Sequence, residues 1–178
     1  WAGSDSDDAK LKQAHSWYRR GRYLAFGTMG MSTDAPKCYR RALEGYDAYY
    51  GEDVLHPDKG HAIMSLAGVE YAHGSYEKSL EMLKTQSEPH FRAASEHPDL
   101  FKCLQHQGLV CRGMEDFEHA LEMYEKARAF LLENTSDFKD EEAREKLQSI
   151  QMDIADMHLA LENLPQALDL YKTIWEDD

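Results

Sequence analysis

Small and bulky apolar residues recur along this chain at steps of four and three. Ala35, Tyr39 and Ala42 set the pattern, which returns at Ala120, Tyr124 and Ala127, at Ala167, Tyr171 and Ile174, and in more polar form at Ser79, Leu83 and Gln86. Such steps place residues on one face of an α-helix, whereas alternation at a period of two, the mark of a half-buried strand, is scarce. Five prolines and eleven glycines punctuate a sequence otherwise rich in Ala, Leu, Glu, Lys and Met. The pattern predicts an all-α chain with at least six helices in antiparallel pairs.

The pattern is also periodic on a larger scale. HPDKG at His56 returns as HPDLF at His97, 41 residues on, and SLEML, ALEMY and ALDLY end comparable stretches. Four copies fit within residues 9–50, 56–96, 97–136 and 139–178, and their small-aromatic-small triplets lie 44, 41 and 47 residues apart. A unit of this length holds two helices, A and B, whose apolar face only a neighbouring unit can cover. Proline lacks an amide hydrogen and suits a first helical turn, and an aspartate there favours the positive end of the helix dipole. Pro57 and Pro98 are therefore expected in the first turns of two helices A.

The copies resemble the tetratricopeptide repeat, in which helices A and B meet through small residues at fixed places. In the third copy those places fall on Gly108, Phe117, Ala120, Tyr124 and Ala127; in the second on Ala67, Tyr76, Ser79 and Leu83; in the fourth on Ala155, Leu164, Ala167 and Tyr171. In the first, back-counting puts Tyr23 where a small residue belongs. The resemblance covers nearly the whole chain and implies a right-handed α-solenoid, here read as one domain over residues 1–178. The copies exceed the common repeat by about ten residues. With the stretch CYRRALEGYDAYYGEDVLHPDKGHA they resemble the longer repeats of kinesin light chains.

HPDK at His56 to Lys59 is also the tetrapeptide of J-domain co-chaperones. Acidic, turn-forming GEDVL precedes it and the HPD tripeptide occurs twice, so a helix start is the preferred reading and a co-chaperone the distant alternative.

Charge narrows the partners. The net charge of -13 disfavours a nucleic-acid backbone, and no apolar run approaches a membrane span. The charge is uneven: residues 1–50 carry eight Lys or Arg against six Asp or Glu, and residues 151–178 carry one against seven. The chain begins at Trp1 with neither a signal nor a transit pattern, which suggests a piece of a longer protein. Three cysteines among helix-forming residues point to a reducing compartment and a cytoplasmic location. Cys103, His106 and Cys111 are the nearest thing to a metal cluster, but their steps spread them around a helix, so no metal and no cofactor are expected. No phosphate loop or nucleophile arrangement is present, and the chain is read as non-enzymatic.

Tetratricopeptide arrays bind peptides on the concave surface made by helices A. The resemblance places Arg20, His61, Met64, Ser65, Lys102, Gln105, His106, Leu109, Arg112, Met152, Asp153 and Asp156 there. The carboxylate clamp of chaperone adaptors is not reproduced, since its Asn places fall on Leu24 and Ser65. Two readings follow. The first is a scaffold or adaptor that holds a partner peptide in this groove, as kinesin light chains hold tryptophan-acidic peptides. The second is an assembly segment of a larger protein, associating, even with its own kind, through Leu168, Tyr171 and Trp175 of the last helix.

Overall fold

The computed structural model describes residues 2–27, 32–94, 97–134 and 141–176. These form eight helices, and no strand occurs among them: α1 (Ala2–Gly27), α2 (Ala35–Tyr50), α3 (Pro57–Ala72), α4 (76–93), α5 (Leu100–Gly113), α6 (Phe117–Asn134), α7 (Glu141–Ala160) and α8 (Leu164–Glu176). Odd-numbered helices are the A helices and even-numbered ones the B helices. The fold is an all-α solenoid of antiparallel pairs. It divides into two compact units, the first ending at His97 and the second beginning at Pro98.

In the first unit α1 packs on α2, α2 on α3, and α3 on α4. The triplet Ala35, Tyr39 and Ala42 is buried, as the helical period requires. Two close approaches set the α1–α2 spacing. A Cβ on Gly45 would stand 2.7 Å from the Cβ of Ala14, and one on Gly21 would stand 2.6 Å from Cε1 of Tyr39. The small residue of the first helix A is therefore Gly21, not Tyr23, which is 80% exposed. Gly21 precedes its aromatic by eighteen residues, where Gly108 precedes Tyr124 by sixteen, so back-counting misses it.

The fourth helix carries a π-helical stretch at Met82–Ser87 between two α-helical ones. The wider turn absorbs one extra residue. Ser87, not Gln86, consequently takes the third place of the triplet: it is fully buried and its hydroxyl donates to the carbonyl of Gly60 at 2.9 Å, while Gln86 faces solvent.

In the second unit α5 packs on α6, α6 on α7 and α7 on α8. Ala120, Tyr124 and Ala127 are buried, and so are Ala155, Ala167 and Ile174. Pro98 lies ahead of α5, whose N-cap is Asp99, so of these two prolines Pro57 alone occupies the first turn of a helix A.

The A-to-B reversal uses one device three times. Gly74, Glu115 and Glu162 adopt left-handed backbone, with φ of 77°, 61° and 61°. The next amide, of Ser75, Asp116 or Asn163, donates to the carbonyl of Glu70, Cys111 or His158 at 2.9, 3.0 and 2.8 Å. The carbonyl of that same residue accepts the amide of Ser79, Ala120 or Ala167 at 3.0, 3.0 and 3.1 Å, opening helix B. These closures satisfy backbone groups that helix ends otherwise leave without partners. They recur at the 41- and 47-residue intervals of the triplets.

Candidate functional site

Every residue of HPDK has a structural partner at the join of α2 and α3. Pro57 is the first residue of α3, and Nδ1 of His56 accepts the Asp58 amide at 3.2 Å, capping the helix. The His56 ring stacks on Tyr50 with centroids 3.7 Å apart, and its amide donates to Nδ1 of buried His90 at 2.9 Å. Tyr50 donates its hydroxyl to Asp58 at 2.7 Å. Lys59 is 2% exposed; its ammonium donates to the carbonyls of Gly51 and Glu52 at 2.6 and 3.0 Å and pairs with Asp47. A buried cation is tolerable only with such a full set of acceptors. Burial holds both His56 and His90 below the usual histidine range, and the Lys59 charge pushes the same way. The tetrapeptide clamps one repeat to the next.

The concave candidates fall into two groups. In the first unit an open groove of about 720 Å³ runs between α1 and α3. Arg19, Arg22, Tyr23 and Phe26 of α1 form one wall and Ser65 and Gly68 of α3 the other, with Tyr39 and Val69 also lining it. Burial pushes the Tyr39 phenol up to about 12, so the ring stays neutral. Tyr23 and Phe26 are 80% and 90% exposed, and no acidic side chain lines the groove among the described residues. Of the sequence-predicted residues only Ser65 lines it. Met64 is buried, and half-buried His61 packs edge-on against Phe91 with centroids 5.0 Å apart. Arg20 lies on another flank of α1, its guanidinium 5.5 Å from the Trp17 ring, in a hollow shared with Lys37 and Arg41. Back-counting from the second helix lands on Tyr23 and leaves the register of α1 unfixed, so it does not reach Arg19, Arg22, Tyr23 and Phe26; Gly21 is the signal the sequence holds.

In the second unit the candidates are joined to one another. Gln105 donates to Asp153 at 2.9 Å, Arg112 stands 3.5 Å from the same carboxylate, and Asp156 accepts the Tyr171 hydroxyl at 2.7 Å. Burial raises Asp153 above the usual carboxylate range, against the pull of Gln105 and Arg112. Lys102 is exposed and pairs with Asp99 at 2.7 Å. His106 and Leu109 are half-buried, and desolvation lowers the imidazole's affinity for a proton. Met152 is 38% exposed. Gln105, Arg112 and Asp153 thus form a polar network on this face, whereas Arg19, Arg22, Tyr23 and Phe26 stand exposed along the α1–α3 groove. Of the association residues, Leu168 and Trp175 are 57% and 76% exposed, while Tyr171 is half-buried. The cysteines are all buried and serve packing. No described helix is long and apolar enough to cross a membrane.

Comparison with known proteins agrees with the fold. No curated protein matches the chain. Among solved structures it is similar to nearly identical tetratricopeptide-like repeats assigned to a kinesin light chain of Podosopora anserina, at 14% identity and a TM-score of 0.59, over 95% of this chain and 93% of that one. Residues 61–133 match the tetratricopeptide repeat family. Residues 61–133 thus carry tetratricopeptide repeats, units that generally mediate contacts between proteins, and the likeness to the solved structure extends the same fold over the chain.

Proposed function

We propose that the chain is a non-enzymatic scaffold or adaptor of the cytoplasm, and that the α1–α3 groove holds an extended acidic segment of a partner protein with an aromatic anchor. One observation carries the reading: Tyr23 and Phe26 stand almost fully exposed beside Arg19 and Arg22 in a groove without acidic lining. Large exposed rings are costly to leave in water and are commonly found at binding surfaces. Cations beside them add attraction and orientation for carboxylates. The likeness to kinesin light chains, which recognise tryptophan-acidic peptides, supports the same ligand class.

The test is fluorescence anisotropy with a labelled tryptophan-acidic peptide. Saturable binding should weaken at least tenfold in the Arg19→Glu/Arg22→Glu double variant and in Phe26→Ala, and should fall as salt rises. Binding that ignores these substitutions would remove the groove from consideration. A second reading, an assembly segment, is favoured by the exposed Leu168 and Trp175 of α8.

A further inference from the structure

Gly21, Gly60 and Gly108 are glycines for a packing reason: an added Cβ would stand 2.6, 2.9 and 2.6 Å from the ring of Tyr39, Phe91 or Tyr124. Gly68 has no such reason. It lies inside α3, away from either end and without a left-handed backbone, it is exposed, and nothing stands within 4 Å of an added Cβ. Glycine within a helix costs about 1 kcal/mol relative to alanine. Folding gains nothing from Gly68, and what the residue provides is open space.

That space belongs to the α1–α3 groove, which Gly68 lines. The residue after the small place of helix A is Arg22, Gly68, Leu109 and Asp156 in the four copies, so the second copy withdraws a side chain that the others keep. Three residues earlier α3 has Ser65, where the others carry Arg19, His106 and Asp153. The α3 wall is thus cut back at two adjoining places on one helix face. Behind it lie Tyr39 and Val69, both buried, and Tyr23 and Phe26 line the same groove from α1. At about 720 Å³ the groove has room for one large side chain together with the peptide backbone that bears it.

We propose that Gly68 makes the groove selective for tryptophan, the indole of the partner's acidic segment entering the space that the missing side chain leaves; this rests on the groove reading above. The lining chemistry favours an indole over an aliphatic anchor. Three aromatic rings line the groove, and ring pairs in offset or edge-on contact gain beyond the area they bury. The Ser65 hydroxyl oxygen can accept the indole N–H, which a leucine or phenylalanine cannot offer. Arg22, on the facing wall, can lie over the indole face, the strongest of the aromatic partners for a cation. The carboxylates of the segment then run along Arg19 and Arg22 on the α1 side, because the α3 side presents no cation among the described lining residues.

The experiment titrates the whole chain against two labelled peptides, the tryptophan-acidic one and the same peptide with its tryptophan replaced by alanine. Gly68→Leu restores the side chain that the third copy has at Leu109. It should weaken the tryptophan peptide at least tenfold without lowering the melting temperature, and should leave the affinity for the alanine peptide within twofold of the original chain's. If the leucine lowers helicity, Gly68→Ala carries the test, with a loss of at least threefold confined to the tryptophan peptide. A Gly68→Leu chain that binds the tryptophan peptide as the original does, while Arg19→Glu/Arg22→Glu weakens it, overturns the role of Gly68 and leaves the groove reading standing. Equal losses for the two peptides overturn it as well, because the space then holds something other than the indole. Binding that ignores the arginine and Phe26 variants removes the groove reading and this inference together.

Discussion

Tyr124 lies across the backbone of Gly108, so that a Cβ at residue 108 would stand 2.6 Å from Cε1 and 2.7 Å from Cδ1 of the ring. Tyr124 is 1% exposed and cannot swing away. Gly108→Ala should therefore destabilise the second unit by about 1–3 kcal/mol through overpacking, a cost larger than the ~1 kcal/mol that alanine gains over glycine in a helix. Gly21→Ala, against Tyr39, should behave alike in the first unit. At Gly68 nothing stands within 4 Å of an added Cβ, so Gly68→Ala should stabilise by up to ~1 kcal/mol. Urea denaturation followed by circular dichroism distinguishes the two signs.

The repeated reversal predicts a second contrast. Gly74 accepts a left-handed backbone without penalty, whereas Glu115 and Glu162 do so with a side chain. Glu115→Gly and Glu162→Gly should each stabilise by about 0.5 kcal/mol, the relief of strain being partly offset by a freer unfolded chain. Gly74→Ala should cost about 1 kcal/mol. Melting temperatures of the three variants check the pattern.

Lys59 closes the end of α2 while belonging to α3. Lys59→Met keeps the apolar stem but abandons the carbonyls of Gly51 and Glu52, and is expected to cost about 1–3 kcal/mol. Lys126→Met removes an ion pair with Glu122 in which both side chains are about half exposed, and should leave the melting temperature unchanged. A Lys59→Met chain as stable as the original would mean that the clamp contributes nothing.

Acid should loosen the same clamp. His56 and His90 bind protons less readily when folded than when unfolded, because both are desolvated, so the unfolded chain takes up more protons as pH falls below about 6.5. Stability is complete above that value and declines as pH drops from 6.5 toward the lowered folded values. Protonated His90 can no longer accept the His56 amide at Nδ1. Melting temperature should fall between pH 7 and pH 5, and His90→Gln should flatten the dependence. Some slope will remain from His106, which is lowered in the second unit.

The repeat was legible where the copies keep their spacing. Gly108, Ala120 and Tyr124 could be read directly because residues 61–133 hold two copies in near-perfect register. The register of the first helix is not legible from the copies because eighteen residues, not sixteen, separate Gly21 from Tyr39, and the groove residues Arg19, Arg22, Tyr23 and Phe26 stay hidden with it. The capping role of the HPD tripeptide follows from local chemistry. The role of Lys59 does not, since its acceptors are backbone carbonyls of the preceding helix end, which no side-chain pattern records. Ser87 was hidden for a related reason: a π turn changes the count along a helix without changing its composition.

That π turn makes α4 a helix that stores an insertion. An added residue in a regular helix would rotate everything after it by about 100° and send Ser87 and Phe91 to the wrong side. Here the displacement is absorbed within one turn, and Pro89 follows at the start of the next α-helical stretch, where a proline is best tolerated. Deleting Gln86 alone should restore the count but drive the proline ring into the tightened backbone. Deleting Gln86 together with Pro89→Ala should give a straight helix with Ser87 still bonded to Gly60. The second repeat thus tolerates a change of length inside a helix, where most folds permit it only in their loops.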